Sequence, residues 1–569
     1  MPTDALEAYS VSPGQVKPTG DRVEDVKNEL AVDGAGYDQL VADARAATEA
    51  EHALTFKQAF RRYPRAIFWS WLLSCAIIMT GFDVVLLGSF YALPEFTRKF
   101  GVQLPDGSFT VTAAWQAGLS NGAKCGEIIG LSLNGWAMER FGCRKTMITA
   151  LSALICFIFL TVFAQNIEML LAGQILMGCC WGVFETLTTT YAAEISPVAL
   201  RPYLTSYVNL CWVMGQVIAS GVLRGMLGWE SEWGYRLPFA LQWVWPVPIL
   251  IGCFFAPESP WWLVRKGRRE DARKTLFRLS DMTDAAAEAQ LAMMEHTNAM
   301  EKSIAAGTRY LDCFKGIDRR RTEIAMGVWA VQNTCGSAFM GYSTFFLQQA
   351  GMAVSNAFNM SIAQYALGAL GTISSWFLMK RFGRRSLYVW GLVGMTVMLV
   401  VIGAMGFAPR SNSGAQWAVG GLLLAYTCIY DATIGPVCYC LVAEVSSTRL
   451  RAKTVVLARI FYNLIAIVNG VIMPYFLNTQ ALNWGAKTGL FWAGMSALSL
   501  LWVFFRVPEP RGRTYGELDV LFHNKISARR FAKTAADQFA GQGLTRTASA
   551  EADEEKGEKG TVEMRETVA

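Results

Sequence analysis

Long apolar runs separated by short polar stretches dominate this chain. Runs of about 20 residues, the length that crosses a bilayer as a helix, stand near 66–91, 111–136, 147–165, 168–190, 203–226 and 237–256. A charged stretch follows, and six more runs lie near 324–348, 358–379, 386–407, 417–440, 454–477 and 486–506. The pattern predicts twelve membrane helices in two sets of six. Between the sets, REDARKTLFRL and AAAEAQLAMMEH place apolar residues at helical spacing and predict amphipathic helices in a loop over 257–322.

The two sets are copies of one unit. AAEISPVALR at 192–201 returns as VAEVSSTRLR at 442–451, an offset of 250. MERFGCRK at 138–145 returns as MKRFGRRS at 379–386, and Pro257-Glu258 returns as Pro508-Glu509. So long a period excludes a solenoid, and repeated apolar units read as two membrane halves around a hinge loop. The expected fold is all-α: a half over 66–256, a central loop over 257–322 and a half over 323–507.

Composition agrees: the 569 residues are 53% hydrophobic, with mean hydropathy +0.28. The ends differ. Residues 1–65 and 508–569 are polar and read as tails, the first largely disordered, the second solvated. No basic-plus-apolar leader opens the chain, so the first run is read as an uncleaved anchor. Lys and Arg gather at alternate run ends: Arg61, Arg62 and Arg65, then Arg140, Arg144 and Lys145, then Arg201, and in the second set Arg319–Arg321, Arg381–Arg385, Arg449 and Arg451. The opposite ends carry far fewer. By the positive-inside bias both tails and the central loop are cytosolic. The net charge of +6 is spread over these flanks, which argues against nucleic acid. Thirteen cysteines without metal or disulfide spacing read as small buried hydrophobes. No nucleophile–base pair, metal set or phosphate loop stands out, so neither an enzyme nor a bound cofactor is expected. A monomer in the plasma membrane is.

GWAMERFGCRK, PESPWWLVRKGR and PEPRGRTYGELD resemble the loop and tail motifs of the sugar porter family within the major facilitator superfamily. GFDVVLLGSFYALPEF, the stretch from GVFETLTTTY to GQVIASGVL, and YLDCFKGIDRRRTEIAMGVWAVQN look like the fungal α-glucoside (maltose-type) proton symporters. The resemblance covers about 65–520. It implies import of an α-linked, maltose-like disaccharide with a proton by alternating access. Another disaccharide, uncoupled transport or a transporter-like sugar sensor are the competing readings.

Each half ends a run on a carboxylate and opens the next on an arginine seven residues later, Glu194 with Arg201 and Glu444 with Arg451. With Arg140, Arg144, Glu258, Arg381, Arg385 and Glu509 these are read as a cytosolic gate of ion pairs. Cys143 stands where the family usually has the first of two arginines.

Ionisable groups inside a membrane are functional hypotheses by default, and here they are Asp83, Lys124, Glu127, Glu185, Asp431 and Arg459. The three histidines, His52, His296 and His523, lie outside the runs, so carboxylates must carry any proton. The resemblance assigns coupling to Asp83. In many relatives an arginine in the fourth span pairs with it, where this chain has Gln174. Glu127 and Arg459 are read as the substitutes, with Arg459 expected to face Asp83 or Glu127. A sugar needs amides for its hydroxyls and an aromatic for its ring face. Gln216, Gln332, Asn333, Tyr342, Tyr439 and Asn463 are the candidate ring. Gln332 and Asn333 fall on the family's two-glutamine motif, Tyr342 on a gating aromatic, and Tyr439 where many relatives have tryptophan.

Overall fold

In a bilayer the backbone has no water to bond, so it must satisfy its own N–H and C=O groups, and apolar runs become helices. The computed structural model describes residues 34–534 apart from 106, 198–199, 306–308, 410–411, 448–449, 479, 512–517 and 519–520. All twelve runs are helical there. The first half contains α1 (Pro64–Phe90), α2 (Ala113–Phe141), α3 (Cys143–Val162), α4 (Ile167–Ile195), α5 (Arg201–Met226) and α6 (Trp233–Phe255). The second contains α7 (316–349, in three segments), α8 (Val354–Arg381), α9 (Arg384–Met405), α10 (413–445, in two), α11 (Arg451–Leu477) and α12 (Gly485–Arg506). Among the described residues nine of them are long and apolar enough to cross a membrane. The other three, α2, α5 and α7, are more polar and contribute much of the central cavity's wall.

Two helices break beside that cavity. The first segment of α7 ends at Thr334, and Gly336 takes φ +98°, a conformation that favours glycine. The Cys335 carbonyl freed there accepts the Tyr426 hydroxyl at 2.9 Å. In α10 the break is at Thr433, and the Gly435 carbonyl accepts the Gln332 amide at 3.0 Å. Within the first half α2 lies directly on α4: a Cβ on Gly182 would strike the Glu127 carbonyl, so only glycine permits this approach.

At the end rich in Lys and Arg, here the basic end, both halves use one device. After the α2–α3 turn at Gly142, the N–H groups of Cys143 and Arg144 donate to Glu258 at 2.9 and 3.2 Å. After the α8–α9 turn, those of Arg384 and Arg385 donate to Glu509 at 2.9 and 3.0 Å. Each glutamate therefore sits at a helix N-terminus, where unpaired N–H groups and the dipole favour an anion. The arginine side chains cover the carbonyls of the half's last helix: Arg144 Nε reaches Cys253 O at 3.1 Å, and Arg385 Nη2 reaches Phe504 O at 2.8 Å.

The central loop is helical, as its patterning predicts. Pro260–Arg265, Arg269–Leu279 and Asp284–Ala305 share a small core of Trp262, Leu276 and Leu291. The tails depart from expectation. Gly34–Ala53 is a helix packed on Asp284–Ala305, and Phe56–Arg62 is a second helix, started by a Thr55–Gln58 capping box. Likewise residues 521–534 of the second tail are packed against the second half. Phe522 and Phe531 are buried under Arg320, at 5.4 and 5.8 Å, and Arg320 donates to the Ile526 carbonyl at 2.7 Å. Isolated aromatics in polar sequence carry this packing, and composition averages them away. Residues 1–33 and 535–569, where the disordered and solvated readings also fall, lie outside the described residues.

Candidate functional site

At the far end the halves are joined. Ser89 and Thr344 hydroxyls lie 3.1 Å apart, and Ser120 and Tyr342 hydroxyls 2.7 Å. Asn478 Nδ2 donates to Val111 O at 2.8 Å, and the Tyr91 and Tyr342 rings stack with centroids 6.2 Å apart. Helix α1 meets α7 mainly through the segments within 338–349. Beneath this closure lies a cavity of about 240 Å³ between the halves.

Eight candidates from the sequence line it: Asp83, Glu127, Gln216, Gln332, Asn333, Tyr342, Tyr439 and Arg459. Asn463 is corrected. It sits on α11 beside the cavity-facing stripe of Arg459, Tyr462 and Asn469, is fully buried, and its amide makes no hydrogen bond. Asn469, six residues on, lines the cavity instead and donates to Asn333 O at 2.8 Å. Asn333 in turn donates to Tyr462 O at 3.1 Å. These amides are therefore held by backbone carbonyls across α7, α10 and α11, which fixes their remaining edges towards the cavity.

The charges pair differently from the expectation. Asp83 accepts Gln242 Nε2 at 2.5 Å, a neutral partner on α6. Gln174 is buried beside the same carboxyl. Gln242 escaped the sequence reading. Its signal was a lone amide in an apolar run, and it sits in a short 3₁₀ turn, Gln242–Val244, that interrupts α6. Glu127 is held by Lys124 on its own helix at 2.6 Å. Arg459 faces neither Asp83 nor Glu127: its Nη2 meets Glu185 Oε2 of α4 at 2.5 Å. Lys124 and Glu127 form an i,i+3 pair, which leaves the arginine to a carboxylate one helix away.

At the basic end the gate candidates divide. Glu194 binds Arg265 at 2.7 Å and accepts the Ser259 hydroxyl, not the expected Arg140–Lys145 cluster. Glu444 binds Arg384 at 3.0 Å. Arg140 lies over the Trp136 and Phe141 rings at 5.7 and 5.8 Å. Arg381 contributes its carbonyl, which accepts Arg511 Nη1 at 2.7 Å. Arg201 opens α5 and Arg451 opens α11; the Arg451 side chain lies outside the described residues. Among the described residues these contacts of Glu194, Glu258, Glu444 and Glu509 lie within one half and its adjoining loop. Burial holds the Glu258 carboxyl above the usual carboxylate range, against the opposing pull of the N–H groups it accepts.

Two pseudo-repeated six-helix halves around a polar cavity, closed at one end, define a secondary transporter of the major facilitator type. The chain belongs to the sugar (and other) transporter family, whose profile matches residues 70–522. It is 45% identical over 571 aligned residues to the general alpha-glucoside permease of Saccharomyces cerevisiae, covering 99% of this chain and 90% of that one. A maltose permease of the same yeast is 42% identical, over 94% of this chain and 87% of its own length. Among solved structures, the proton:xylose symporter XylE aligns with TM-score 0.65 at 20% identity, covering 80% of this chain and 99% of that one. That likeness is one of fold. The protein is thus a multi-pass membrane carrier and not an enzyme, as its relatives are permeases.

Proposed function

We propose that this carrier imports α-glucosides, maltose-like disaccharides, together with a proton across the plasma membrane by alternating access. The basic end, with both tails and the central helices, is the cytosolic one, and a single chain suffices because the cavity is enclosed by its two halves. The observation that carries the reading is Asp83: a buried carboxyl in the cavity wall whose hydrogen-bond partner is a neutral amide. Such a group can exchange a proton without first breaking an ion pair. The cavity offers what a disaccharide needs, with Gln216, Gln332, Asn333 and Asn469 for hydroxyls and Tyr342 and Tyr439 for ring faces. The 45% identity to an alpha-glucoside permease favours α-linked glucosides among disaccharides. One proton entering down 100 mV supplies roughly 2.3 kcal/mol, which corresponds to about fifty-fold accumulation. With latches made across the halves at the far end, the described conformation corresponds to a state of the cycle closed at that end.

The test is expression in cells lacking disaccharide carriers, with external pH and labelled maltose followed together. Uptake accompanied by alkalinisation of the medium is expected, and a panel of unlabelled disaccharides should rank α-glucosides first as competitors. Maltose uptake without proton movement overturns the coupling. Proton movement with a β-linked disaccharide alone overturns the substrate class.

A further inference from the structure

The Arg459–Glu185 pair is a contact between the halves, from α11 to α4, and it is dry: the two side chains are 14% and 7% exposed. The guanidinium also lies 4.8 Å above the Trp329 ring and 4.6 Å above Tyr462. Trp329 in turn packs edge-on against Tyr439, with centroids 4.8 Å apart. The level of this cluster follows from the amide contacts. The Asn333 side chain bonds the Tyr462 carbonyl, and Arg459 is three residues nearer the basic end, about 4.5 Å at the helical rise. Similarly, the Gln332 side chain bonds the Gly435 carbonyl, and Tyr439 is four residues nearer the basic end, about 6 Å. Arg459, Trp329 and Tyr439 therefore form a floor one helical turn below the sugar-binding amides, and Glu185 ties that floor across to the other half.

We infer that Glu185 and Arg459 are the inner gate of the carrier: the bolt that must open for sugar to leave towards the basic end. The inference deepens the sugar-carrier reading and rests on it. The far end is already shut by its own latches, and the Glu258 and Glu509 contacts do not join the halves. Among the described residues this pair, with its aromatic frame, crosses the halves on the basic-end side of the cavity amides, and the Tyr203–Trp376 ring contact crosses them nearer the basic end. A dry ion pair resists separation because each charge would be left without its partner. Sugar hydroxyls or water arriving at Arg459 replace those hydrogen bonds and let the pair part. Trp329 and Tyr462 keep the cation over a ring face while it is released. In this scheme Glu185 acts in gating and not in proton carriage, which stays with Asp83.

The test uses the full chain in proteoliposomes preloaded with whichever disaccharide the wild type exchanges. Downhill efflux without a proton gradient is compared with counterflow. Glu185→Gln and Arg459→Gln should each raise the ratio of efflux to counterflow several-fold. The swap Glu185→Arg with Arg459→Glu should bring that ratio back towards wild type, since the bolt is rebuilt in reverse. Arg459→Lys keeps the charge but loses the flat guanidinium over Trp329, and should leak to an intermediate extent; it serves if the swap fails to fold. An unchanged ratio in both single variants, or a folded swap as leaky as they are, overturns the gate. So does an Arg459→Lys that leaks as much as Arg459→Gln. Wild type that exchanges no sugar overturns the carrier reading itself.

Discussion

The two halves are alike at their basic ends and unlike at the cavity. Glu258 and Glu509 accept equivalent N–H pairs, at Cys143–Arg144 and Arg384–Arg385, and Arg144 and Arg385 cover equivalent carbonyls. Even the Cys143 that replaces an arginine leaves this device intact, because the carboxylate is held by backbone N–H groups and not by that side chain. At cavity depth the symmetry is gone: Asp83, Lys124, Glu127 and Glu185 lie in the first half, Asp431 and Arg459 in the second. Duplicated sequence is kept where it caps helices and braces loops. It has diverged along the cavity wall. The difference separates residues that brace each half from residues that line the cavity.

Asp83→Asn attacks the asymmetric side most directly and should have the largest effect. The amide keeps a hydrogen-bonding group beside Gln242 but cannot carry a proton, so accumulation should be lost while counterflow survives. Undiminished sugar-driven alkalinisation in this variant would remove Asp83 from the coupling role. Gln332→Ala comes next. Gln332 Nε2 is engaged by Gly435, which leaves the amide oxygen for a sugar hydroxyl. Removing both bonds should weaken apparent affinity by about 1–3 kcal/mol, read as a rise in KM with kcat less affected. An unchanged KM would reduce Gln332 to a brace for the α10 break.

The symmetric side predicts matched, smaller effects. Glu258→Gln and Glu509→Gln should each lower thermal stability by about 1–2 kcal/mol, as loss of a charged partner at a helix start does. Unequal losses, measured in detergent by the same melting assay, would show that one half leans on its cap more than the other. The Glu258 arm also has a pH signature. Its carboxyl sits above the ordinary value in the folded protein. Between the two values the folded chain holds a proton that the unfolded chain has released, so this contribution to stability falls as pH rises through that window. Glu258→Gln should flatten that part of the profile.

Asn463→Leu should do least. Its buried amide makes no hydrogen bond, so an apolar side chain of the same branched shape should leave KM where it is. A large rise in KM would put Asn463 back among the sugar contacts.

The run lengths, the duplication, the basic flanks and the loop motifs were all legible before any coordinates, because bilayer thickness and backbone hydrogen bonding leave an apolar run of 20 residues one fold to adopt. Eight of the nine proposed proton and sugar residues line the cavity for a related reason: a polar group in such a run must face protein or water. Which partner each finds was not legible. Arg459 could be placed inside the membrane by sequence and was expected to face Asp83 or Glu127, but helix rotation and crossing distances bring it to Glu185. Asn463 and Asn469 are six residues apart on one helix, and a difference in azimuth sends one into packing and the other to the cavity. Gln242, the partner of Asp83, sits where α6 tightens into a 3₁₀ turn. One-dimensional pattern determined which residues cross the membrane and which ends are braced. Contact between helices distant in sequence, set by small residues such as Gly182 and by breaks such as that at Gly336, decided which charges meet and where the gate lies.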